Sequence, residues 1–237
     1  MKVSNFSLVA ILATIFGAEL PAALVLATGQ VSTHVIYQDN FKGTATTTLD
    51  GVVPTEDHGK SAKWTAGSTA GPGHGHGTGV GWQANGSTSL QGNSGGAYLS
   101  FTPVNGNIYT LTARIDPTKG NWLGLGFVKR PNTTNPLNGS GAYAWATIGP
   151  GGGGQIFTGP DTSNPNGGFT GKSGTNTVSI VLNTTAKKWT YRVYDNGKAV
   201  TPIVIFKTNP VITAVGLGNS DAKGLVSDFE LSTRKIR

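Results

Sequence analysis

A chain of 237 residues, 37% of them hydrophobic, is long and apolar enough to bury a core of its own, which excludes global disorder and a miniature scaffold held by staples. Its 36 glycines and 12% charged residues exclude a helical bundle, since glycine costs about 1 kcal/mol in a helix interior and favours turns. The basic residues behind the net charge of +7 are scattered from Lys42 to Lys223, with Arg234, Lys235 and Arg237 the only cluster of three, so the sequence shows no basic stripe for nucleic acid; the absence of cysteine removes disulfides and thiolate metal sites.

The chain opens with Lys2 and an apolar stretch over residues 8–16, the charged start and short greasy middle of a secretory signal. Glu19 and Pro21 interrupt the run before it reaches the ~20 residues that a membrane span needs. Cleavage is expected after Ala27, with Ala23 as the alternative, leaving one domain over residues 28–237 that is secreted or held at the cell envelope or surface. If uncleaved, the segment becomes the one expected link to a membrane.

From residue 35 onward, period-2 segments alternate with turn signals, the pattern of an antiparallel sandwich or barrel. Segments 35–41, 97–102, 108–115, 122–128, 178–183, 189–194, 203–206, 212–217 and 225–231 all read this way, giving about ten strands with 142–148. Asp195-Asn196-Gly197 is a strong hairpin signal after 189–194. Residues 65–81, centred on a Gly-Pro-Gly-His74-Gly-His76-Gly run, and residues 149–174, rich in Gly, Pro and Asn, read as long loops.

Alternation over 122–128 puts Leu123, Leu125 and Phe127 on a core face and Trp122 beside Gly124 and Gly126 on the other. Over 142–148 it places Tyr143 and Trp145 together. Two roles are open to Trp122, Tyr143 and Trp145: a stacking platform for the apolar face of a sugar, or packing over strand glycines. His74 and His76, with His58 near in sequence, are either incidental loop residues or weak ligands for zinc or copper. Catalysis lacks its parts. Beyond the signal segment the only glutamates are Glu56 and Glu230, neither belongs to a strand motif of paired carboxylates, Glu56-Asp57 lies in a loop between Pro54 and Gly59, and Asn93-Ser94-Gly95-Gly96 is no nucleophile elbow.

Asp39-Asn40-Phe41 at the start, the segments 109–113 and 122–127, 176–182 leading to 189–197, and 215–219 leading to 226–231 together resemble the concanavalin A-like lectin/glucanase superfamily, nearest to LamG-like secreted bacterial domains. The resemblance covers about residues 34–232 and rests on strands and turns rather than chemistry. It implies an all-β, two-sheet antiparallel jelly-roll sandwich with adjacent terminal strands, and often a sugar-binding face. Some members hold a structural calcium where the terminal strands meet, which points to Asp39 and Asp228 as candidate ligands. The glucanase carboxylate motif is missing, and so is the C-terminal Pro-Glu-Pro sorting signature of many bacterial relatives. The expected function is therefore non-catalytic binding of a glycan or polysaccharide, the alternative being a structural envelope protein that assembles with itself or its neighbours, and a divergent hydrolase coming last.

Overall fold

The structure, a computed structural model, describes residues 32–42, 47–68, 83–84, 90–91, 95–117, 122–132, 141–159, 166–220 and 224–235. The expected signal segment 1–27 lies outside them, as do His74 and His76. The strands in chain order are β1 (Thr33–Asp39), β2 (Thr47–Thr48), β3 (Thr65–Ser68), β4 (Gln83–Ala84), β5 (Leu90–Gln91), β6 (Gly95–Ser100), β7 (Asn107–Asp116), β8 (Trp122–Val128), β9 (Ala142–Ile148), β10 (Gly153–Phe157), β11 (Gly167–Thr170), β12 (Asn176–Asn183), β13 (Thr190–Asp195), β14 (Lys198–Ala199), β15 (Val204–Ile205), β16 (Ala214–Ser220) and β17 (Leu225–Lys235). No helix occurs among the described residues.

Two seven-stranded antiparallel sheets form a jelly-roll sandwich. The first runs β1-β17-β7-β12-β13-β14, with β15 also on β13, and the second runs β11-β10-β9-β8-β16-β6-β3; β2, β4 and β5 make a small third sheet. The terminal strands β1 and β17 pair as expected, Gln38 opposite Glu230 and Asp39 opposite Phe229. The core is built from alternate residues of both sheets: Leu111, Ala113, Ile115, Val178, Ile180, Leu182, Tyr191 and Val193 from the first meet Leu99, Leu123, Leu125, Phe127, Ala144, Ala146, Ile148 and Leu217 from the second. The face assignment for β8 thus follows the period-2 pattern.

The hairpin signal at Asp195-Asn196-Gly197 closes as a two-residue turn: Asp195 pairs Lys198, and Asn196 and Gly197 take φ of 49° and 77°. Positive φ at both central residues is what a type I′ turn requires. The residues 149–174 do not form one long loop. They carry β10 and β11, an antiparallel pair at the edge of the second sheet. At Gly154 a ring occupies the space a side chain would take: a Cβ there would fall 2.2 Å from the Phe169 ring. The start of the 65–81 stretch is likewise a strand, β3, paired to β6. The 203–206 segment is reduced to the two residues of β15.

Candidate functional site

The second sheet turns its outer face away from the core, and that face has almost no side chains across its middle. Cross-strand pairing links Gly67 to Gly96, Gly96 to Gly218, Gly218 to Gly124, Gly124 to Thr147, Thr147 to Gln155 and Gln155 to Gly168. This row crosses all seven strands, and Thr147 and Gln155 are its only side chains beyond glycine. Six strand spacings of about 4.8 Å make it about 29 Å long.

Aromatic rings flank and partly pave the row. Tyr98 lies over Gly96 and Gly216, where added Cβ atoms would fall 2.7 and 2.5 Å from its ring. Trp145 spans Gly124 and Gly126: a Cβ on Gly124 would meet its Nε1 at 2.7 Å, and one on Gly126 its Cε3 at 2.8 Å. Tyr98 and Trp145 join Val128, Ala142, Phe157 and Ala214 in an apolar cluster of their own. On the other side of the row, Trp122 rests against Gly149 and Gly153 and stays half-buried. Thr147 and Gly124 therefore lie between two indoles.

The three candidate stacking residues do not form one exposed platform. Trp145 is fully buried, packed over glycines as the second reading of these rings anticipated. Trp122 keeps part of its ring exposed on the same sheet face. Tyr143 stands apart: β9 and β8 slip register between Phe127 and Val128, and Tyr143 packs against the central core and lines a cleft near the sandwich edge.

Two polar atoms on this face are anomalous. Trp145 Nε1 and Thr147 Oγ1 are buried with no hydrogen-bond partner. A buried unpaired donor costs about 1–3 kcal/mol, so such atoms mark places where water or a ligand completes the bonding. Sequence reasoning missed Thr147 and Gln155, because only the register puts them in the glycine row. Burial pushes the Tyr98 phenol well above its ordinary range, and its hydroxyl donates to the Asn132 carbonyl at 3.1 Å.

The acidic candidates lie elsewhere. Asp39 is buried; it accepts from Trp64 Nε1 at 2.6 Å, the Phe41 amide at 2.8 Å and Thr55 Oγ1 at 3.2 Å, and ties β1 to the segment ending at Trp64. Burial raises its pKa against the pull of those bonds. Asp228 is exposed on the β17 bulge, φ 51°, and faces Arg114 at 3.3 Å. Its neighbour Glu230 sits on the outer face of the first sheet, across Gln38 from the exposed Glu56. Among the described residues no group of three or more His, Asp or Glu side chains is placed to hold a metal ion.

No protein-family model matches the sequence, and no curated protein matches it. Among solved structures, an endo-1,3-β-glucanase from Streptomyces sioyaensis is similar at TM-score 0.50 and 14% identity, over 85% of this chain and 96% of its own. The carbohydrate recognition domain of Emp47p is similar at TM-score 0.45 and 12% identity, over 86% and 96%. A carbohydrate-binding module from Bacillus subtilis reaches TM-score 0.41 and 13% identity over 60% and 85%. At such identities the likeness is one of fold alone: a two-sheet antiparallel sandwich similar to that of the glucanase.

Proposed function

We propose that this chain is an exported, non-catalytic glycan-binding protein that holds a neutral polysaccharide along the glycine row of its second sheet. The observation that carries this reading is the pair of buried, unpaired atoms, Trp145 Nε1 and Thr147 Oγ1, between two indoles on a face without charge. A pyranose offers an apolar ring face for the half-exposed Trp122, and its hydroxyls reach Trp145 Nε1 and Thr147 Oγ1, both buried in the free protein, only where the face opens around it. Trp145 acts as a positioning residue that holds the floor flat. Gln155 supplies a further amide on the same row. An extended chain fits the row better than a single sugar, because the row crosses every strand of the sheet.

The strands of the second sheet contain no acidic residue and no charged residue of any kind. The strands of this face supply no carboxylate for the usual two-carboxylate route of hydrolysis, which supports binding without cleavage. The same neutrality favours an uncharged glycan over an acidic one. Export rests on the Lys2 start and apolar 8–16 stretch, with a mature domain from residue 28.

The test is calorimetric titration and affinity electrophoresis with a panel of neutral polysaccharides that includes a 1,3-β-glucan. Binding to at least one member is expected, weakened about tenfold or more in Trp122→Ala, since stacking rings contribute on the order of 1.5 kcal/mol. No binding across the panel, or binding indifferent to Trp122→Ala, sinks the proposal. Release of reducing ends from any member would overturn the non-catalytic part.

A further inference from the structure

A second concavity opens at the edge of the sandwich, beyond the Gly168 end of the glycine row, where β9, β10 and β11 face β13 and the segment 200–211. It is a cleft of about 880 Å3. That is within the ~300–1,000 Å3 range of small-molecule sites. Its walls are predominantly aliphatic and aromatic, with Tyr143, Ile156, Tyr191, Val204, Ile205 and Phe206 the main contributors. Three of the large apolar side chains most exposed on the described surface belong to this short segment, Ile203 at 62%, Ile205 at 62% and Val211 at 61%, and the last two line the cleft. Single exposed aliphatics are ordinary, whereas a cluster around a concavity marks a binding surface.

The polar groups of the cleft are mostly spent on the protein itself. Thr158 Oγ1 and Tyr191 Oη share a short hydrogen bond at its inner end. Asn166 accepts from the Thr158 amide, Thr201 Oγ1 from the Val193 amide, and Asn209 ties the Trp189 amide to the Lys187 carbonyl. A sugar would find few free partners here. One group stands apart: among the described residues Lys207 is the only charged side chain in the lining, and it is exposed with no ion-pair or hydrogen-bond partner among them. Among the described residues no carboxylate lines the cleft to compete for it.

We propose that this cleft is a binding site for an amphiphilic anion, its apolar body lying between Tyr143, Ile205 and Phe206 and its single anionic head at Lys207. The apolar walls supply affinity through area removed from water, and the lone ammonium selects the sign of the head group. The inference is independent of glycan binding, which uses the outer face of the second sheet.

Calorimetric titration with dodecanoate below its micellar concentration tests it, with dodecyltrimethylammonium as the charge-inverted control of equal chain length. Saturable one-to-one binding of dodecanoate is expected, at least tenfold tighter than that of the cation. Ile205→Asp places a like charge on the apolar wall and should weaken dodecanoate at least tenfold. Lys207→Glu should reverse the preference between the two probes. Both residues are exposed, and unchanged melting curves will certify that the variants are folded. Absence of saturable binding, equal binding of both probes, or binding untouched by both substitutions overturns the proposal.

Discussion

In the first sheet β12 buries every second residue, Asn176, Val178, Ile180 and Leu182, and leaves Thr177, Ser179, Val181 and Asn183 half-exposed. In the second sheet β8 buries all of residues 123–128. The two sheets contribute alternate residues to the same core, yet the first has an ordinary polar back while the second has a back of glycine, tyrosine and tryptophan. Charge divides the same way: strands of the first sheet carry Asp39, Arg114, Arg192, Asp195 and Glu230, and those of the second carry no charge. An antiparallel sheet needs only one apolar face to form a sandwich. The unusual back of the second sheet is therefore a feature the fold does not require, which is why function is placed there.

The comparison is open to breaking by substitution. Trp145→Ala should have the largest effect. Removing a fully buried indole from the outer cluster is expected to cost about 3–5 kcal/mol in urea unfolding, as much as a core truncation. A loss under about 1 kcal/mol would mean that the outer cluster contributes little to stability and that the two backs are energetically alike. Gly126→Val follows: its Cβ would stand 2.3 Å from the Ala144 carbonyl oxygen and 2.7 Å from Trp145 Cα, atoms of the neighbouring backbone that cannot swing aside. We expect a loss of about 3 kcal/mol, or failure to fold. Val181→Thr on the half-exposed back of the first sheet should stay within about 0.5 kcal/mol. Equal costs at the two positions would erase the contrast.

Thr147→Val sharpens the comparison, because stability and binding should move in opposite directions. The hydroxyl is buried and unpaired, so replacing it with a methyl of similar shape should stabilise the free protein by about 1 kcal/mol. The same change removes a partner for a sugar hydroxyl and should weaken glycan binding severalfold. A variant that is less stable would place an unseen partner on Oγ1, and one that binds unchanged would remove Thr147 from the site.

Much of this division was legible in the chain. Alternation in residues 122–128 and 142–148 gave both strands their bounds and put Leu123, Leu125 and Phe127 in the core, because a two-residue period leaves no choice once one face is apolar. The same alternation paired Trp122 with Gly124 and Gly126. What it does not encode is lateral register. That Gly124 faces Gly218 on one side and Thr147 on the other depends on pairings with segments more than ninety and more than twenty residues away in the chain. A bulge next to Val128 then took Tyr143 out of the face that strict alternation assigned to it. The β10 and β11 hairpin was hidden for a different reason: glycine reads locally as loop, and only the Phe169 ring over Gly154 makes a strand of it.

The smallest expected effect concerns pH, and it separates the sheets by titration. Buried carboxylates belong to the first: burial raises the pKa of Asp39 above its ordinary 3.8, with bonds from Phe41, Trp64 and Thr55 opposing, and burial likewise raises that of Asp195, with the Asn196 amide and Lys172 opposing. Because each folded pKa lies above the unfolded one, the folded chain holds more protons in the window between the two values. The stability these groups contribute is thus complete below 3.8 and lost as pH rises through their folded values. The urea midpoint is therefore expected to hold or rise from pH 7 down to about pH 4.5, and Asp195→Asn should flatten that profile. The second sheet, with no acid in its strands, has no part in this limb, so Thr147→Val should shift the whole curve upward without changing its shape. A Thr147→Val curve of altered slope would show that the two sheets do not titrate separately.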